Sequence, residues 1–296
     1  MLADDIRSGW RCDGSKGRDG TVTTDRRRLR QGIVVVGIAL AGLVGLLAAI
    51  QVRGAATGCD GAPAGSCMRV LFIGNSYTYV NDLPDTFAAL AGSGGHPVQT
   101  SMIAPGGAYL ADEVGSAAVS DSLAATRWDV VVLQEQSQVV AVPAVRRSRT
   151  DPAVATLAGR IRAIGAVPEL FMTWAHRDGW PEQGLADYAA MQRGIDDGYL
   201  ALAREVGLPV APVGFLWSVV REERPDLALW QADGSHPSVA GTYLAACVLY
   251  ATIFHQRPVG LWAADGLAAD DVRLLQQVAA SVLDDPARWG IRQAAS

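Results

Sequence analysis

Residues 69–78, RVLFIGNSYT, decide how the rest of the chain is interpreted. Four consecutive apolar residues at 70–73 are typical of a strand that is buried on both faces, as the strands of a parallel sheet are. A second run of this kind, VVVL, lies at 130–133. A glycine, an asparagine and a serine at 74–76 directly follow the first run. The stretch therefore predicts a buried strand that leads through a polar turn into a helix.

Short strand-like segments alternate with helical segments between residues 68 and 296. The predicted strands lie at 69–73, 98–103, 129–133, 169–173 and 209–213. The predicted helices lie at about 82–93, 108–126, 151–165, 183–206, 238–256 and 269–284. This alternation indicates βαβ units. We therefore expect a five-stranded parallel sheet in a flavodoxin-like three-layer α/β/α sandwich, with its functional site at the carboxyl ends of the strands.

The composition is that of a folded protein with an uneven distribution of charge. Half of the 296 residues are hydrophobic and 19% are charged, which excludes a disordered or collagen-like chain. Residues 1–31 carry eight basic and five acidic side chains, whereas residues 68–296 carry sixteen basic and twenty-four acidic ones. An acidic body does not attract phosphate backbones, so we expect no nucleic-acid partner. The single lysine, Lys16, lies far from any glycine loop that could hold a phosphate, which excludes a Walker-type ATPase.

The segment GIVVVGIALAGLVGLLAAI at 32–50 contains nineteen residues without a charge. As a helix it would be roughly 28 Å long, close to the hydrocarbon thickness of a bilayer. The basic stretch DRRRLR at 25–30 precedes it and only Arg53 follows it closely, so the positive-inside rule leaves the amino-terminal side in the cytoplasm. The sequence predicts a single-pass protein of the cell membrane, with a cytoplasmic arm at 1–31, a transmembrane helix at 32–51, a linker at 52–67 and an extracytoplasmic catalytic domain at 68–296. Secretion after cleavage of a signal peptide is the alternative.

Two cysteines, Cys59 and Cys67, lie in the linker on the predicted outer side of the membrane, where a disulfide could persist. Their short separation leaves two possibilities open, a disulfide between them or two unpaired thiols. Cys247 lies in an Ala- and Leu-rich helix, and we expect it in the core. The sequence has no CxxC, HxH or HExxH spacing, so we expect no structural zinc, no catalytic metal and no cofactor.

Two polar turns could carry chemistry. The first presents Ser76, which either caps the next helix or exposes a nucleophilic hydroxyl at the sheet edge. The second is DGSHP at 233–237, where Asp233 can accept a hydrogen bond from Nδ1 of His236. That bond would fix the imidazole tautomer and leave Nε2 free as a base, whereas the alternative is a helix-capping turn with a surface histidine. Because both turns would lie at the same edge of the sheet, together they favour a nucleophile and an oriented base.

At these two turns the sequence resembles the SGNH (GDSL-like) hydrolase superfamily. The stretch LFIGNSYT at 71–78 is similar to the nucleophile block of the family, and DGSHP at 233–237 is similar to its carboxyl-terminal DxxH block. The resemblance implies a catalytic triad of Ser76 as nucleophile, His236 as base and Asp233 as the group that orients the base. It also implies an oxyanion hole made of the Ser76 N–H, a glycine N–H and a side-chain amide.

Several positions remain open for the other oxyanion donors. The loop APGGA after the second strand offers Gly106 or Gly107, and an ordinary Pro-Gly turn is the alternative interpretation. Where most family members have Gly-x-Asn-Asp after the third strand, this chain reads LQEQSQ at 133–138, without an asparagine. A glutamine amide can donate the same hydrogen bond, and we expect Gln134, then Gln136, in that role. Further candidates for the pocket are Asn75, Trp174 and His176.

These features predict a membrane-anchored, extracytoplasmic serine esterase. Its expected substrates are acetyl esters, either on a small molecule or on an acylated polysaccharide of the cell surface. One alternative is an O-acyltransferase with the same triad, for which Trp174, Trp180 and Trp230 could supply an aromatic acceptor groove. Another is a non-catalytic carbohydrate-binding domain on the hydrolase fold. A glycosidase is not expected, because Glu135 has no well-placed second acid.

Overall fold

The computed structural model describes Cys59, Pro63 and residues 65–289. All described residues belong to one compact unit, which lies within Ile50–Ser296. The predicted cytoplasmic arm, the predicted membrane span and most of the predicted linker lie outside the described residues. Within the part of the chain that is described, no helix is both long and apolar enough to cross a bilayer.

Five parallel strands form one sheet in the order β2-β1-β3-β4-β5. The strands are β1 Met68–Ile73, β2 Val98–Ile103, β3 Val130–Leu133, β4 Val167–Phe171 and β5 Val210–Ala211. Strand β1 pairs with β2 on one side and with β3 on the other, and its side chains from Val70 to Ile73 are 0% exposed. The apolar run is therefore enclosed on both faces and both edges, which confirms the predicted parallel sheet.

Helices cover both faces of the sheet. They are α1 Ser76–Tyr79, α2 Leu83–Ser93, α3 Leu110–Glu113, α4 Ala117–Ala125, α5 Ser137–Ala141, α6 Pro143–Val145, α7 Asp151–Ala163, α8 Tyr188–Val206, α9 Val213–Glu223, α10 Val239–Phe254 and α11 Ala269–Ala280. A π-helical turn, Arg146–Thr150, joins α6 to α7, and short 3-10 turns lie at Pro181–Gln183, Ser281–Leu283 and Pro286–Trp289. Helices α2, α9, α10 and α11 pack together in one layer, whereas α3, α5, α7 and α8 pack in the other. The described part of the chain is thus the expected three-layer α/β/α sandwich.

Three of the differences between predicted and observed bounds have a clear physical reason. The helix predicted at 108–126 is broken, because the side chain of Ser116 accepts a hydrogen bond from the N–H of Val119 and starts α4 as a new helix. The helix predicted from 183 begins only at Tyr188, after Asp187 has capped it. The fifth strand is shorter than predicted because prolines at 209 and 212 flank it and cannot donate to the ladder.

Cys59 and Cys67 form a disulfide whose Cα atoms are 5.4 Å apart. The structure thereby decides between the two possibilities that the sequence left open. The disulfide directly precedes Met68, the first residue of β1, and so lies at the edge of the sheet opposite to the turn at 74–76. Cys247 is a buried free thiol on α10, as expected.

Strand β4 carries a buried carboxyl group. The Glu169 side chain is 3% exposed and accepts a hydrogen bond from the hydroxyl of Thr252 on α10. Burial raises the pKa of Glu169 from 4.5 to about 7, although the hydrogen bond from Thr252 opposes the shift. Because the unfolded chain ionises first, this group makes the unfolding free energy fall as the pH rises from about 4.5 to about 7.

The variant Glu169→Gln should lack this part of the pH dependence, since a neutral amide can still accept the hydrogen bond from Thr252. Between pH 4.5 and pH 8 we expect the wild type to lose about 3 kcal/mol more unfolding free energy than the variant. Urea unfolding at a series of pH values measures the difference. The exposed residue Glu222 provides a matched control, and Glu222→Gln should follow the wild type. Parallel pH profiles for the wild type and Glu169→Gln would contradict this account.

Candidate active site

Ser76 lies at the carboxyl end of β1, where a tight turn leads into α1. Asn75 caps this short helix by accepting a hydrogen bond from the N–H of Tyr77, at 3.1 Å, so the cap does not use the hydroxyl of Ser76. A Cβ on Gly74 would lie 2.5 Å from Oε1 of Gln134, which leaves room only for glycine before the turn. The local sequence Gly-Asn-Ser therefore fits a turn that frees the serine hydroxyl for another partner.

That partner is His236, from the loop at 233–237. Its Nε2 lies 3.0 Å from Oγ of Ser76, and its Nδ1 lies 2.6 Å from Oδ2 of Asp233. The other carboxylate oxygen of Asp233 accepts the N–H groups of Ser235 and His236 at 2.9 and 3.0 Å. Partial burial raises the pKa of Asp233, but these hydrogen bonds outweigh it and hold the pKa below its usual value. An ionised Asp233 accepts a hydrogen bond from a protonated Nδ1 of His236, which leaves Nε2 facing the serine as an acceptor.

Ser235 fastens this loop to the nucleophile turn. Its Oγ lies 2.8 Å from the hydroxyl of Tyr77, the residue after Ser76, and its carbonyl accepts a hydrogen bond from Nε1 of Trp174 at 3.0 Å. The rings of Tyr77 and Trp174 are stacked, with centroids 4.7 Å apart and planes 5° apart. The two turns that the sequence placed 157 residues apart are thus joined through Ser235 as well as through Ser76 and His236.

The expectation that Trp174 lines the pocket is wrong. The side chain is 0% exposed and stacks on Trp217 at 4.1 Å, on the side away from Tyr77. Trp230 is half-buried, packs edge-on against Trp217 and donates its Nε1 to the carbonyl of Ala175. Trp174 lies in the core and Trp230 packs against it, and both indole N–H groups find acceptors within the protein. They therefore do not form the aromatic acceptor groove that the sequence suggested.

A cavity of about 170 Å³ opens beside the hydroxyl of Ser76. The predicted site residues that line it are Asn75, Ser76, Gly107, Gln136, His176 and His236. The remaining lining residues are Tyr77, Ser137, Gln138 and Ser235, so nearly every wall carries a polar group. The cavity is consequently small, and most of its lining residues carry a group that can form a hydrogen bond.

Two backbone N–H groups of this wall are available to a ligand. The N–H groups of Ser76 and Gly107 have no hydrogen-bond partner among the described residues. Gly107 has a φ of +71° in a turn closed by the bond from the Ala108 N–H to the Pro105 carbonyl, a conformation that favours glycine. Of the two glycines left open by the sequence, the structure places Gly107 and not Gly106 on the cavity wall.

Gln134 has a different role from the one expected. Its side chain is 1% exposed and does not line the cavity. Its Oε1 accepts hydrogen bonds from the Asn75 N–H at 2.9 Å and the Thr78 hydroxyl at 3.0 Å, and its Nε2 donates to the Glu135 carbonyl at 2.8 Å. The expectation that Gln134 is the oxyanion donor is therefore corrected: this amide fills the space beneath Gly74 and supports the nucleophile turn.

Gln136 is the glutamine that lies on the wall. Its Oε1 caps α5 by accepting the N–H of Gln138 at 2.7 Å, while its Nε2 donates to the side chain of Gln138. An amide nitrogen has two hydrogens, so one remains for a ligand. Gln136 is the second of the two glutamines that the sequence suggested as oxyanion donors.

Glu135 organises the site although the sequence analysis assigned it no role. It is 0% exposed, and its Oε1 accepts the N–H of Leu110 at 3.2 Å and the N–H of Gln136 at 2.8 Å. Its Oε2 accepts the hydroxyl of Thr150 at 3.1 Å. Burial raises the pKa of Glu135, although these three donors oppose the shift. The sequence did contain a signal for this role, because Glu135 is an acidic residue between two glutamines just after a buried strand. Its carboxyl group joins the start of α3, just after Gly107, to the start of α5.

His176 is half-buried on the cavity wall, close to the predicted base. Burial lowers its pKa, Asp233 opposes the shift and His236 adds to it. The preceding residue is fixed, because the N–H of Ala175 donates to Oε1 of Gln192 at 2.7 Å. His176 therefore presents a neutral imidazole at the cavity near pH 7. In the part of the chain that the structure describes, no three His, Cys, Asp or Glu side chains are placed to hold a metal ion.

Comparison with known proteins connects this fold to a family. No protein-family model matches the sequence, and no curated protein matches it significantly. A solved structure of a DUF4886 family protein from Bacteroides uniformis is similar in fold, with a TM-score of 0.66 at 19% identity over 74% of this chain and 96% of that one. A protein from Slackia heliotrinireducens that is assigned to the SGNH hydrolases is 32% identical, with a TM-score of 0.53 over 63% of this chain and 99% of that one. On this likeness, the chain belongs to the SGNH hydrolases.

Proposed function

We propose that this protein is a serine esterase that removes short acyl groups, acetyl above all, from hydroxyl-rich alcohols. The observation that carries the proposal is the chain of contacts from Asp233 to His236 to Ser76, at 2.6 and 3.0 Å. These are the distances at which a carboxylate can orient an imidazole and the imidazole can take a proton from a serine hydroxyl. The family of the chain supports a hydrolase that acts on ester bonds.

In the proposed reaction Oγ of Ser76 attacks the ester carbonyl while Nε2 of His236 takes the hydroxyl proton. The carbonyl oxygen becomes an oxyanion, for which the N–H groups of Ser76 and Gly107 and the Nε2 of Gln136 are the candidate donors. The intermediate expels the alcohol, which receives the proton from His236 and leaves an acyl group on Ser76. Water then attacks this acyl-enzyme with His236 as base, and the carboxylic acid departs as Ser76 recovers its proton.

The size and polarity of the cavity support a short acyl group. A cavity of about 170 Å³ is comparable to a cavity of about 150 Å³ that holds one benzene molecule. It has room for an acetyl group and the first atoms of an alcohol, but not for a long hydrocarbon chain. The side chains of Gln138 and His176 offer hydrogen bonds to hydroxyl groups of the alcohol.

We further propose that the enzyme works outside the cell on an O-acylated surface polysaccharide or a related small ester. The predicted span at 32–51, with residues 1–31 in the cytoplasm and a linker at 52–67, would hold residues 68–296 at the outer side of the membrane. The disulfide between Cys59 and Cys67 supports this location, because disulfides persist in oxidising compartments. A protease that digests residues 68–296 only after cell lysis would overturn the proposed topology.

Neither alternative function gains support from a specific contact. Acyl transfer to a sugar was linked to an aromatic groove of Trp174, Trp180 and Trp230, but none of the three lines the cavity beside Ser76. A purely binding domain would not need Asp233, His236 and Ser76 aligned at hydrogen-bond distances. Hydrolysis therefore remains the function that the geometry favours.

Ser76→Ala and His236→Ala should each lower kcat/KM for 4-nitrophenyl acetate by about 10⁴-fold or more, because each removes a member of one catalytic unit. Asp233→Asn should cost about 100-fold or more, since an amide cannot stabilise the imidazolium in the same way. The assay uses the purified full-length protein. Ser148, whose hydroxyl is exposed and bonds only the Val145 carbonyl, provides a matched Ser→Ala control. Retention of wild-type turnover in Ser76→Ala would contradict the proposal.

Gln136→Ala and Gln134→Ala should separate the two roles assigned to these glutamines. Gln136→Ala removes an oxyanion donor and should lower kcat by about 100-fold, with about 1 kcal/mol of stability lost at the start of α5. Gln134→Ala leaves the buried Asn75 N–H without its acceptor and should destabilise the fold by about 1–3 kcal/mol. Kinetics and thermal unfolding of both variants measure the difference. If Gln134→Ala melted like the wild type yet lost kcat about 100-fold, the donor assignment would have to be reversed.

Acyl chain length provides a test of the proposed substrate class. With the same 4-nitrophenyl leaving group, kcat/KM for the octanoyl ester should be at least about 100-fold below that for the acetyl ester, because the cavity cannot enclose the longer chain. Equal values for the two esters would show that the acyl group binds elsewhere.

A further inference from the structure

A second cavity, of about 490 Å³, lies at the opposite edge of the sheet from Ser76. Its walls include the first residues of β1, β3 and β4, which are Met68, Val130 and Val167, and the segment that leads into β5. Parallel strands place all these amino ends at one edge, whereas the candidate active site lies at the carboxyl edge. The volume is within the range of cavities that bind small molecules. We call it the amino-edge cavity.

The amino-edge cavity has mainly apolar walls and one deeply buried acid. Val130, Val167, Leu208 and Ile253 contribute apolar surface, and Glu169 lines the cavity from the third position of β4. Small-molecule sites commonly combine such walls with a few polar groups that orient the ligand. This composition fits a ligand with an aliphatic body and one polar head.

Glu169 has no positive partner in the described part of the chain. One of its oxygens accepts the hydroxyl of Thr252, and its second oxygen has no hydrogen-bond partner among the described residues. Burial and Thr252 together set its pKa, without a contribution from a charged side chain. Arg162 also lines the cavity, but it donates to the carbonyls of Val206 and Gly207 at 3.1 and 2.9 Å.

Burial of a carboxylate without a counter-ion costs free energy, and a cationic ligand bound beside it would lower that cost. A primary ammonium can donate to the second oxygen of Glu169 with a charge-assisted hydrogen bond, which an alcohol of the same size cannot form. We propose that the amino-edge cavity is a second binding site of this protein, which takes a small organic ammonium ion with an aliphatic body. The site is separate from the proposed esterase chemistry and does not depend on it.

Binding should depend on pH, because the ammonium pairs with the ionised form of Glu169. Ionisation of Glu169 around pH 7 makes the affinity rise by about tenfold between pH 6 and pH 8. Three other titratable or charged groups line the cavity: Asp129 from the start of β3, Arg162 from α7 and His255 at the end of α10. Because His255 also faces the cavity, its contribution to the pH dependence is measured separately with a variant.

Calorimetry on the full-length protein with pentylammonium chloride and 1-pentanol tests the proposal. We expect pentylammonium to bind about tenfold more tightly at pH 8 than at pH 6. At pH 8, 1-pentanol should bind more weakly than pentylammonium, and its affinity should not show this dependence on pH. In the wild type, each pentylammonium bound should release about 0.9 proton at pH 6 and about 0.1 at pH 8, as measured in buffers of different ionisation enthalpy.

Three variants assign these effects to the cavity. Glu169→Gln should weaken pentylammonium binding at pH 8 by at least about tenfold and abolish its pH dependence, whereas His255→Gln should retain both. Ser76→Ala should bind like the wild type, which separates this site from the esterase. The proposal is overturned if pentylammonium does not bind, if 1-pentanol binds equally well at pH 8, or if Glu169→Gln leaves affinity and proton release unchanged.

Discussion

The placement of the nucleophile depends on one side chain, the amide of Gln134. It lies directly after β3, and its Oε1 accepts hydrogen bonds from the N–H of Asn75, in the turn after β1, and from the hydroxyl of Thr78 in α1. This contact is possible only because Gly74 has no Cβ, which would lie 2.5 Å from the same oxygen. Two neighbouring parallel strands are thereby locked together at the point where Ser76 leaves the sheet.

Around that junction, two further groups bring distant loops together. Glu135 binds the N–H groups of Leu110 and Gln136, so the glycine turn and the start of α5 keep a fixed separation. Ser235 binds Tyr77 and Trp174, so the loop with the base keeps its position above the nucleophile turn. Each of these connections uses a hydrogen bond in a largely buried setting, where such bonds have little competition from water. The candidate active site is therefore held in place by these hydrogen bonds as well as by the packing of the apolar core.

Sequence patterns were sufficient for the parts of the molecule that depend on local chemistry. The apolar runs at 70–73 and 130–133 predicted buried strands, and the turns at 74–76 and 233–237 predicted that Ser76, His236 and Asp233 would meet. Patterns could not distinguish Gln134 from Gln136, because that choice depends on which side chain finds space beneath Gly74. They could not show that an indole directly after a strand, that of Trp174, would turn into the core. The predicted membrane span stays a prediction, since it lies outside the described residues.

The central claim is that the Ser76 hydroxyl is activated by His236, and a covalent label tests it most directly. Full-length protein treated with a serine-directed fluorophosphonate should carry one adduct, and peptide mass spectrometry should locate it on Ser76. The same treatment of His236→Ala should give little or no adduct, because the hydroxyl then lacks its base. An adduct on another residue, or equal labelling of Ser76 without His236, would contradict the account.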